Sequence, residues 1–411
     1  MDKFTKRSIT IENFLKEDNG IEINVLLELV EDSEYYKSIL DYFKIEPKDN
    51  TLIDIKGAKT LFTVIKNLDK KYSKQDLVSN LSDITFDYEK GFAIKFNNLK
   101  NNTYLSNLEN DSLKATPIHS GERDFFSNLY EIDKYATKLI KNKFNDILDQ
   151  NLVLLKTKGE HIKKYRLIHD IEDNKFYLRA IVSKDRYHNY DNSLTIVVAL
   201  LKLHFEMITT DIVYEVHFFE YNESFIRIFF KTSETKELKG VGLLENAIQV
   251  SNDEIKREAL KFSNVCSIIF KDAKNTEQRL FIKPKDIKTK VLAITHNTSP
   301  QKAFENFENF SVAKENFNKL FEEIEIITKI KEHNQIVHLV RSKIENSNTN
   351  DIKKFKTELI KMLSIDIKTT TQLLETFNKL IFLEGLEIDA KEYLRYLLYE
   401  VLTNSKKLNS L

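Results

Sequence analysis

The chain has 411 residues, in which 63 basic side chains balance 63 acidic ones, so its formal net charge is zero. This balance argues against a protein that coats nucleic acid by bulk charge, because such proteins carry a large basic excess. Eight glycines and four prolines are few for this length, so glycine-lined phosphate loops must be scarce. The single cysteine, Cys266, excludes an internal disulfide and any zinc site built from cysteine pairs.

No segment of the sequence predicts a membrane span or a secretory signal. The longest uninterrupted apolar run, from Ile196 to Leu201, has six residues, whereas a spanning helix needs about 20. The N-terminus also lacks the apolar core of a signal peptide. We therefore expect a cytoplasmic protein with no membrane partner.

The N-terminal segment predicts a small helical cap. Residues 21–29, 35–43 and 58–68 carry apolar side chains three and four positions apart, which is the period of a helix. Short polar clusters separate the three segments, as expected for connections between helices.

A β-hairpin is predicted after this cap. Residues 84–96 alternate between apolar and polar side chains on either side of Gly91, which can supply the turn. The stretch 98–118 is rich in Asn, Ser and Asp and predicts a linker. We therefore take residues 1–118 as an N-terminal helical region with a hairpin and a linker.

The period changes to two between residues 119 and 298, which predicts a central β-rich domain. Residues 194–205 interrupt the strands with apolar side chains on most faces and predict a buried helix packed on the sheet. Residues 254–262 predict a second, shorter helix, with Ser251 and the acidic residues after it as the capping segment. The predicted strands are 152–157, 165–169, 176–182, 212–219, 225–230, 241–250, 265–270 and 280–282.

Helical patterns return in residues 299–411, which we take as a C-terminal helical domain. An aromatic and aliphatic stripe runs through its first part, and we interpret it as core, with a partner-binding face as the alternative. We expect these helices to mediate formation of a homo-oligomer. The stripe comprises Phe304, Phe307, Phe310, Phe317, Leu320, Phe321, Ile324, Ile327 and Ile330.

The whole pattern predicts an α+β fold. A mostly antiparallel central sheet with a packed buried helix would lie between an N-terminal helical region and a C-terminal helical bundle. The order of the strands in that sheet does not follow from the sequence.

The strong catalytic motifs are absent from the sequence. It contains no P-loop, no His-Glu-x-x-His, no Gly-x-Ser-x-Gly, no Gly-x-Gly-x-x-Gly and no Cys-x-x-Cys. Gly240-Val-Gly242 starts an apparent strand, and it predicts a bulge or a close approach of two backbones. We therefore expect no cofactor.

Metal-binding patterns are weak as well. His333 and His338 are five residues apart on a predicted helix, which turns them about 140° away from each other. Glu237 and Lys239, with Asp211 upstream, loosely fit the pattern of a metal-dependent nuclease. In a chain with 31% charged residues such a match arises easily by chance, and we expect no metal site.

The distribution of charge is more informative than any motif. Residues 156–186 contain nine basic and five acidic side chains, and residues 271–290 contain seven and three. A basic sheet face lined by aromatic rings is suited to single-stranded nucleic acid, because cations neutralise phosphates and rings stack on bases. A solvated sheet face balanced by nearby acidic residues is the alternative. The aromatic residues in or beside these segments include Tyr165, Phe176, Tyr177, Tyr187, Tyr190 and Phe281.

The segment from Tyr165 to Asn192 resembles the phage/plasmid-like family called domain of unknown function 932. That family has a strand with Arg, a turn, a strand reading Arg-Ala-x-x-Ser-x-Arg-Tyr, and an Asp-Asn that leads into a helix. The corresponding positions are Arg166, Arg179, Ala180, Ser183, Arg186, Tyr187, Asp191 and Asn192, with one residue more than the family pattern between Ser183 and Arg186. A second stretch, from Gly240 through Ser251-Asn-Asp-Glu254 to Cys266, is similar to the family's glycine-containing strand, turn and following Cys. The resemblance implies a gene of phages, plasmids or related mobile elements, without an established activity.

Five residues of this segment are our candidates for contact with nucleic acid: Lys164, Arg166, Arg179, Arg186 and Tyr187. The last two would lie on a loop between a strand and a helix, where ligand-binding residues are common. An arginine held by a buried aspartate is the competing structural explanation. Asp191 or Asn192 would cap the helix that follows.

We therefore expect a protein of a bacteriophage or other mobile element that binds nucleic acid, single strands above all, in the cytoplasm of a bacterial host cell. A structural or assembly protein of a virion is the first alternative, because zero net charge and long helical termini suit it. A metal-dependent nuclease is the second alternative. Binding is expected over catalysis, and no catalytic residue is identified.

Overall fold

A computed structural model describes residues 3–99, 111–158, 161–255, 258–284, 290–308 and 314–404. The chain forms two compact units. Unit 1 comprises residues 1–62, 190–253 and 258–411, and unit 2 comprises residues 63–189 together with 254–257.

Strands and helices both contribute large shares of the chain, and the expected α+β class is confirmed. The strands are β1 Arg7–Thr10, β2 Ile21–Glu22, β3 Leu52–Ile53, β4 Tyr72–Asn80, β5 Ile84–Asp87, β6 Ala93–Phe96, β7 Leu113–Pro117, β8 Ile162–Asp170, β9 Lys175–Val182, β10 Tyr214–Tyr221, β11 Phe225–Leu238, β12 Gly242–Asp253, β13 Leu260–Lys271, β14 Glu277–Ile282 and β15 Lys290–Ile294. The helices are α1 Ile23–Leu27, α2 Tyr36–Phe43, α3 Ala58–Lys71, α4 Gly121–Tyr130, α5 Asp133–Lys141, α6 Asn145–Lys156, α7 Asn192–Thr209, α8 Pro300–Glu308, α9 Lys314–Ile324, α10 His333–Glu345, α11 Asn350–Lys353, α12 Lys356–Met362, α13 Thr370–Ile381 and α14 Ile388–Thr403.

Unit 1 is built on a large antiparallel sheet. Its strand order is β1-β10-β11-β12-β13-β14, and β15 pairs with β13. The long strands β11 to β13 are rich in Ile, Phe and Val, which suit a pleated, buried surface. At the start of β12, a Cβ on Gly242 would collide with the carbonyl of Ile269 on β13, so the predicted close backbone approach is confirmed there.

The C-terminal helices cover one face of this sheet. Apolar side chains of β11 to β14 share a core with helices α9, α10, α13 and α14. The interpretation of the aromatic stripe as core is confirmed for the following members, all of which are buried: Phe304, Phe307, Phe317, Leu320, Ile324, Ile327 and Ile330. Phe310 lies outside the described residues. These apolar side chains therefore pack against other residues of the same chain.

Helix α7 is the buried helix predicted from residues 194–205. It packs on β12, α1 and β3, all of unit 1. Within the described part of the chain it alone is long and apolar enough to cross a membrane, and 67% of it is buried inside the protein. Its apolar residues thus form part of the core of unit 1.

Unit 2 is a six-stranded sheet with helices on one face. The strand order is β4-β8-β9-β7-β6-β5, antiparallel except for the parallel pair of β7 and β9. Strands β5 and β6 form the predicted hairpin at 84–96, with Ile84 opposite Phe96. The apolar side chains of this sheet pack against α4, α5 and α6. Strands β4 and β8 also carry polar residues that bind one another, such as Asp76 on β4 and Arg166 on β8.

Three predicted elements are wrong. Of the predicted strand 152–157, residues 152–156 belong to helix α6, because the continuous apolar run from Leu152 to Leu155 fits either structure over so short a length. The described residues of the predicted helix 254–262 are not helical, since residues 254, 255, 258 and 259 connect β12 to β13 and residues 260–262 begin β13. Part of the predicted linker is strand β7, and residues 100–110 of it lie outside the described part of the chain.

The predicted boundaries at residues 118 and 298 do not coincide with the two units. Strands β4 to β6 precede residue 118, yet they share a sheet with β7 to β9. The helices after residue 298 share a core with strands that precede it. Strand pairing between distant segments cannot be read from composition, which is why a division along the chain misses it.

Candidate functional site

An irregularity between β8 and β9 positions the arginines that the sequence singles out. Arg166 lies opposite Ala180, and the next residue, Leu167, lies opposite Leu178. Arg179 is therefore an extra residue on β9, and such a bulge changes the direction of its side chain. Alternation along the strand does not reveal this.

Both arginines bind Glu254. Its carboxylate accepts hydrogen bonds from Lys74 Nζ at 2.7 Å and from Arg179 Nη1 at 2.6 Å. Its main-chain carbonyl accepts from Arg166 Nη1 and from the Tyr187 hydroxyl, both at 2.6 Å. We call these five residues, all of which belong to unit 2, the Glu254 cluster.

Asp76 extends the cluster toward the start of β8. Its carboxylate accepts hydrogen bonds from Arg166 Nε at 3.2 Å and from the Asn189 amide at 2.6 Å. Lys164 Nζ lies 3.6 Å from the same carboxylate and donates to the Tyr187 carbonyl and the Asn189 amide oxygen, at 3.3 Å each. Lys164 and Arg166 therefore already bind oxygen atoms of the protein.

Burial separates the five predicted contact residues. Arg166 and Arg179 are 1% and 0% exposed, Tyr187 is also buried, and Lys164 is half-buried. The expected position of Arg166, Arg179 and Tyr187 on an open basic sheet face is therefore wrong, because these side chains are buried in the Glu254 cluster and in the apolar contact of Tyr187 with Ile255. The competing explanation, in which an acidic residue holds the arginine, fits Arg166 and Arg179 better.

Arg186 is the one of these five that is exposed. It lies in the turn 184–186 together with Lys184 and Asp185, which are exposed as well. Just after the turn, Tyr187 and Asn189 are fixed by Glu254 and Asp76. The buried cluster thus anchors the base of the turn that presents Arg186.

Strand register brings other cations to the same end of the sheet. Lys164 lies opposite Val182, so the residues that follow Val182 lie beside the start of β8. We call the end of the sheet formed by Lys163, Lys164, Lys184 and Arg186 the basic end. Two described acidic residues, Asp76 and Asp185, also lie at the basic end, as the strand register and the contacts above indicate.

In the second basic segment, 271–290, Lys271 and Lys274 are exposed, but two of the other described cations are held by acidic residues. Lys283 is buried and binds Glu392, and Arg279 pairs with Glu245 and Glu277. Phe281 is buried in an aromatic cluster with Phe229. Residues 285–289 lie outside the described part of the chain.

Asp191 takes the N-cap position of α7, as predicted, and Asn192 begins the helix. The Asp191 side chain makes no capping hydrogen bond, although its main-chain carbonyl accepts one from the Thr195 hydroxyl at 3.1 Å. The Asp-Asn pair thus lies at the N-terminal end of α7.

The nuclease hypothesis receives no support from the described residues. Asp211, Glu237 and Lys239 are all exposed to solvent. Among the described residues no group of three or more His, Cys, Asp or Glu side chains could hold a metal ion.

Unit 1 contains a second buried charge cluster that sequence reasoning missed. Glu392 on α14 lies 2.7 Å from Lys283 Nζ, 3.4 Å from Arg395 Nη1 and 3.8 Å from Arg227 Nη1. Burial opposes ionisation of Glu392, but the attraction of Arg227, Lys283 and Arg395 holds its pKa well below the ordinary value. Burial lowers the pKa of Lys283, and the charge of Glu392 offsets part of that effect. Glu220 and Glu258 complete the acidic partners of Arg227.

Comparisons with protein-family models, with curated proteins and with solved structures found no match for this chain. The resemblance to the family called domain of unknown function 932 therefore stays a prediction.

Proposed function

We propose that this chain binds nucleic acid, with single strands as the preferred form, through the basic end of unit 2. The observation that supports the proposal is the register of β8 and β9, which collects Lys163, Lys164, Lys184 and Arg186 from two segments of the chain. Such a small group of cations can contact a few phosphates. A flexible strand can bring successive phosphates to it, whereas a rigid duplex presents them over a longer surface.

The resemblance to a family of phages and plasmids fits this proposal. The resemblance is carried by two separate stretches of sequence, and residues from both meet in the Glu254 cluster. These residues are Arg166, Arg179, Tyr187 and Glu254. The two stretches would need to meet in this way if the residues of the family pattern serve to hold the turn that carries Arg186 in place. A protein of a mobile element, acting in the cytoplasm of a bacterial host, is the setting that we propose.

Arg186→Ala should weaken binding of labelled single-stranded DNA and RNA in an anisotropy titration. It should also lower the slope of log affinity against log salt by about 0.7, because one phosphate contact is lost. Arg123→Ala is the matched control, since Arg123 lies on α4 of the same unit with a side chain 69% exposed. Equal affinities and slopes for Arg186→Ala, Arg123→Ala and the unchanged protein would remove the basic end from the binding site.

The second candidate function is that of an assembly protein, and helix α6 favours it. Val153 and Leu154 are 61% and 62% exposed, and Ile147 and the preceding Phe144 are also exposed. Apolar surface of this kind on neighbouring turns of a helix is common at protein contacts. The C-terminal helices, which we expected to mediate self-association, have most of their apolar residues in the core of unit 1.

If α6 mediates self-association, the double variant Val153→Ser, Leu154→Ser should shift the molar mass toward that of one chain in light scattering. Ile208→Ser is the control, because Ile208 is equally exposed but belongs to α7 of unit 1. An unchanged mass for the double variant, or a chain that is already monomeric, would contradict this second function.

A further inference from the structure

A cleft of about 590 Å³ lies between α10 and α14 of unit 1. Its volume falls within the usual range of small-ligand sites. On α14 it is lined by Tyr393, Tyr396 and Glu400, which recur at three- and four-residue spacings and so share one side of the helix. On the other side it is lined by the last turn of α10 and the residues just after it, including Lys343 and Asn346.

Two kinds of group that line this cleft, tyrosine rings and a carboxylate, attract positive charge. The faces of tyrosine rings attract cations. Glu400 supplies a carboxylate that is about one-third exposed. The rings and the carboxylate are already close to cations of the chain, since Lys343 Nζ lies 2.9 Å from Glu400 and Lys283 Nζ lies 5.1 Å from the centre of the Tyr396 ring.

We propose that the cleft binds an organic cation, an alkylammonium or guanidinium group, with Glu400 as its ionic partner and Tyr393 and Tyr396 as its aromatic walls. Lys343 acts as the internal occupant that the ligand replaces at Glu400. Displacing Lys343 from Glu400 costs little free energy, because both side chains are about one-third exposed and such ion pairs contribute little to stability. The cation can come from a free polyamine or from a lysine or arginine side chain of another protein.

The test is isothermal titration calorimetry of the full chain at low ionic strength. The probes are spermidine for the free polyamine and the acetylated methylamides of lysine and arginine for a side chain. Acetyl-norleucine methylamide, which lacks the ammonium group, is the neutral comparison. We expect at least one cationic probe to bind and the neutral probe not to bind, and the probe that binds identifies the source of the cation.

Two variants make the proposal falsifiable. Glu400→Gln should weaken binding of the cation by about tenfold or more, because a hydrogen bond to a charged group is lost. Lys343→Ala should strengthen it by up to about fivefold, because the internal competitor is gone. A gain in affinity cannot result from misfolding. Lys354→Ala, which breaks the exposed pair of Lys354 with Glu387, should change nothing.

Equal binding of the charged and neutral probes would overturn the proposal, as would equal affinity of Glu400→Gln and the unchanged protein. Absence of binding to Lys343→Ala by every cationic probe would overturn it too, since that variant lacks the ion pair of Lys343 with Glu400. None of these results depends on whether the basic end of unit 2 binds nucleic acid.

Discussion

Replacing Glu254 by glutamine should lower the free energy of unfolding by about 3–5 kcal/mol, because it removes one partner of the buried ion pair with Arg179. Arg179 and Lys74 would face a neutral amide in place of the carboxylate that now accepts their hydrogen bonds at 2.6 and 2.7 Å. Glu254 and Arg179 are both fully buried, so water cannot take over this role. Urea unfolding followed by circular dichroism measures the change.

Glu172→Gln provides the control for this prediction. Glu172 also pairs with a lysine of unit 2, Lys71, but its side chain is largely exposed, so its loss should have little effect. If Glu254→Gln unfolded no more easily than Glu172→Gln, the cations of the cluster would not depend on Glu254. The arginines would then again be candidates for binding a ligand.

A double variant separates the charge effect from packing. In Arg179→Met, Glu254→Met both charged partners become apolar, and such replacements of buried pairs are often neutral or stabilising. The double variant should therefore be more stable than the sum of the two single changes implies. Strict additivity would mean that the two side chains do not interact.

Periodicity was sufficient for most of the strands and for the long helices. Strands β8 to β14 and helix α7 follow from local patterns, because alternation and continuous apolar runs depend on residues close in sequence. The error at α6 has a physical cause. The run from Leu152 to Leu155 is apolar on two sides of the helix, and one of these sides, with Val153 and Leu154, is exposed.

The buried clusters could not be predicted from local patterns. Glu254 contacts Arg179, 75 residues away, and Arg166, 88 residues away. In the sequence, Ser251-Asn-Asp-Glu254 is typical of the start of a helix, and nothing nearby indicates an arginine partner. The only local signal was an acidic turn between two strongly apolar segments.

Counts of charged residues along the sequence are limited in the same way, because they do not show which charges are paired in the fold. Residues 156–186 are basic in the sequence, but two of their arginines are neutralised by residues outside that segment, Asp76 and Glu254. The count therefore overstates the charge that reaches solvent. Arg186 was correctly placed on the loop before a helix, because the end of β9 and the start of α7 are both visible in the pattern.

The second large effect is expected at Glu392 in unit 1. Glu392→Gln removes the carboxylate nearest to Lys283, which is fully buried, and weakens the compensation of Arg227 and Arg395. We expect a loss of about 3–5 kcal/mol of unfolding free energy at neutral pH. Glu345→Gln is the control, since Glu345 pairs with Arg341 on the surface of α10 and its loss should change the stability little.

The pH dependence of this effect has a definite sign. The pKa of Glu392 is lowered in the folded protein, so the unfolded chain binds its proton more readily. The stabilisation is complete above the unfolded pKa of about 4.3 and is lost as pH falls through the lower folded value. The difference in stability between the unchanged protein and Glu392→Gln should therefore shrink as the pH is lowered from 5 toward 2. A constant difference over that range would mean that Glu392 is not held ionised by its three cationic neighbours, and the cluster would then act through packing alone.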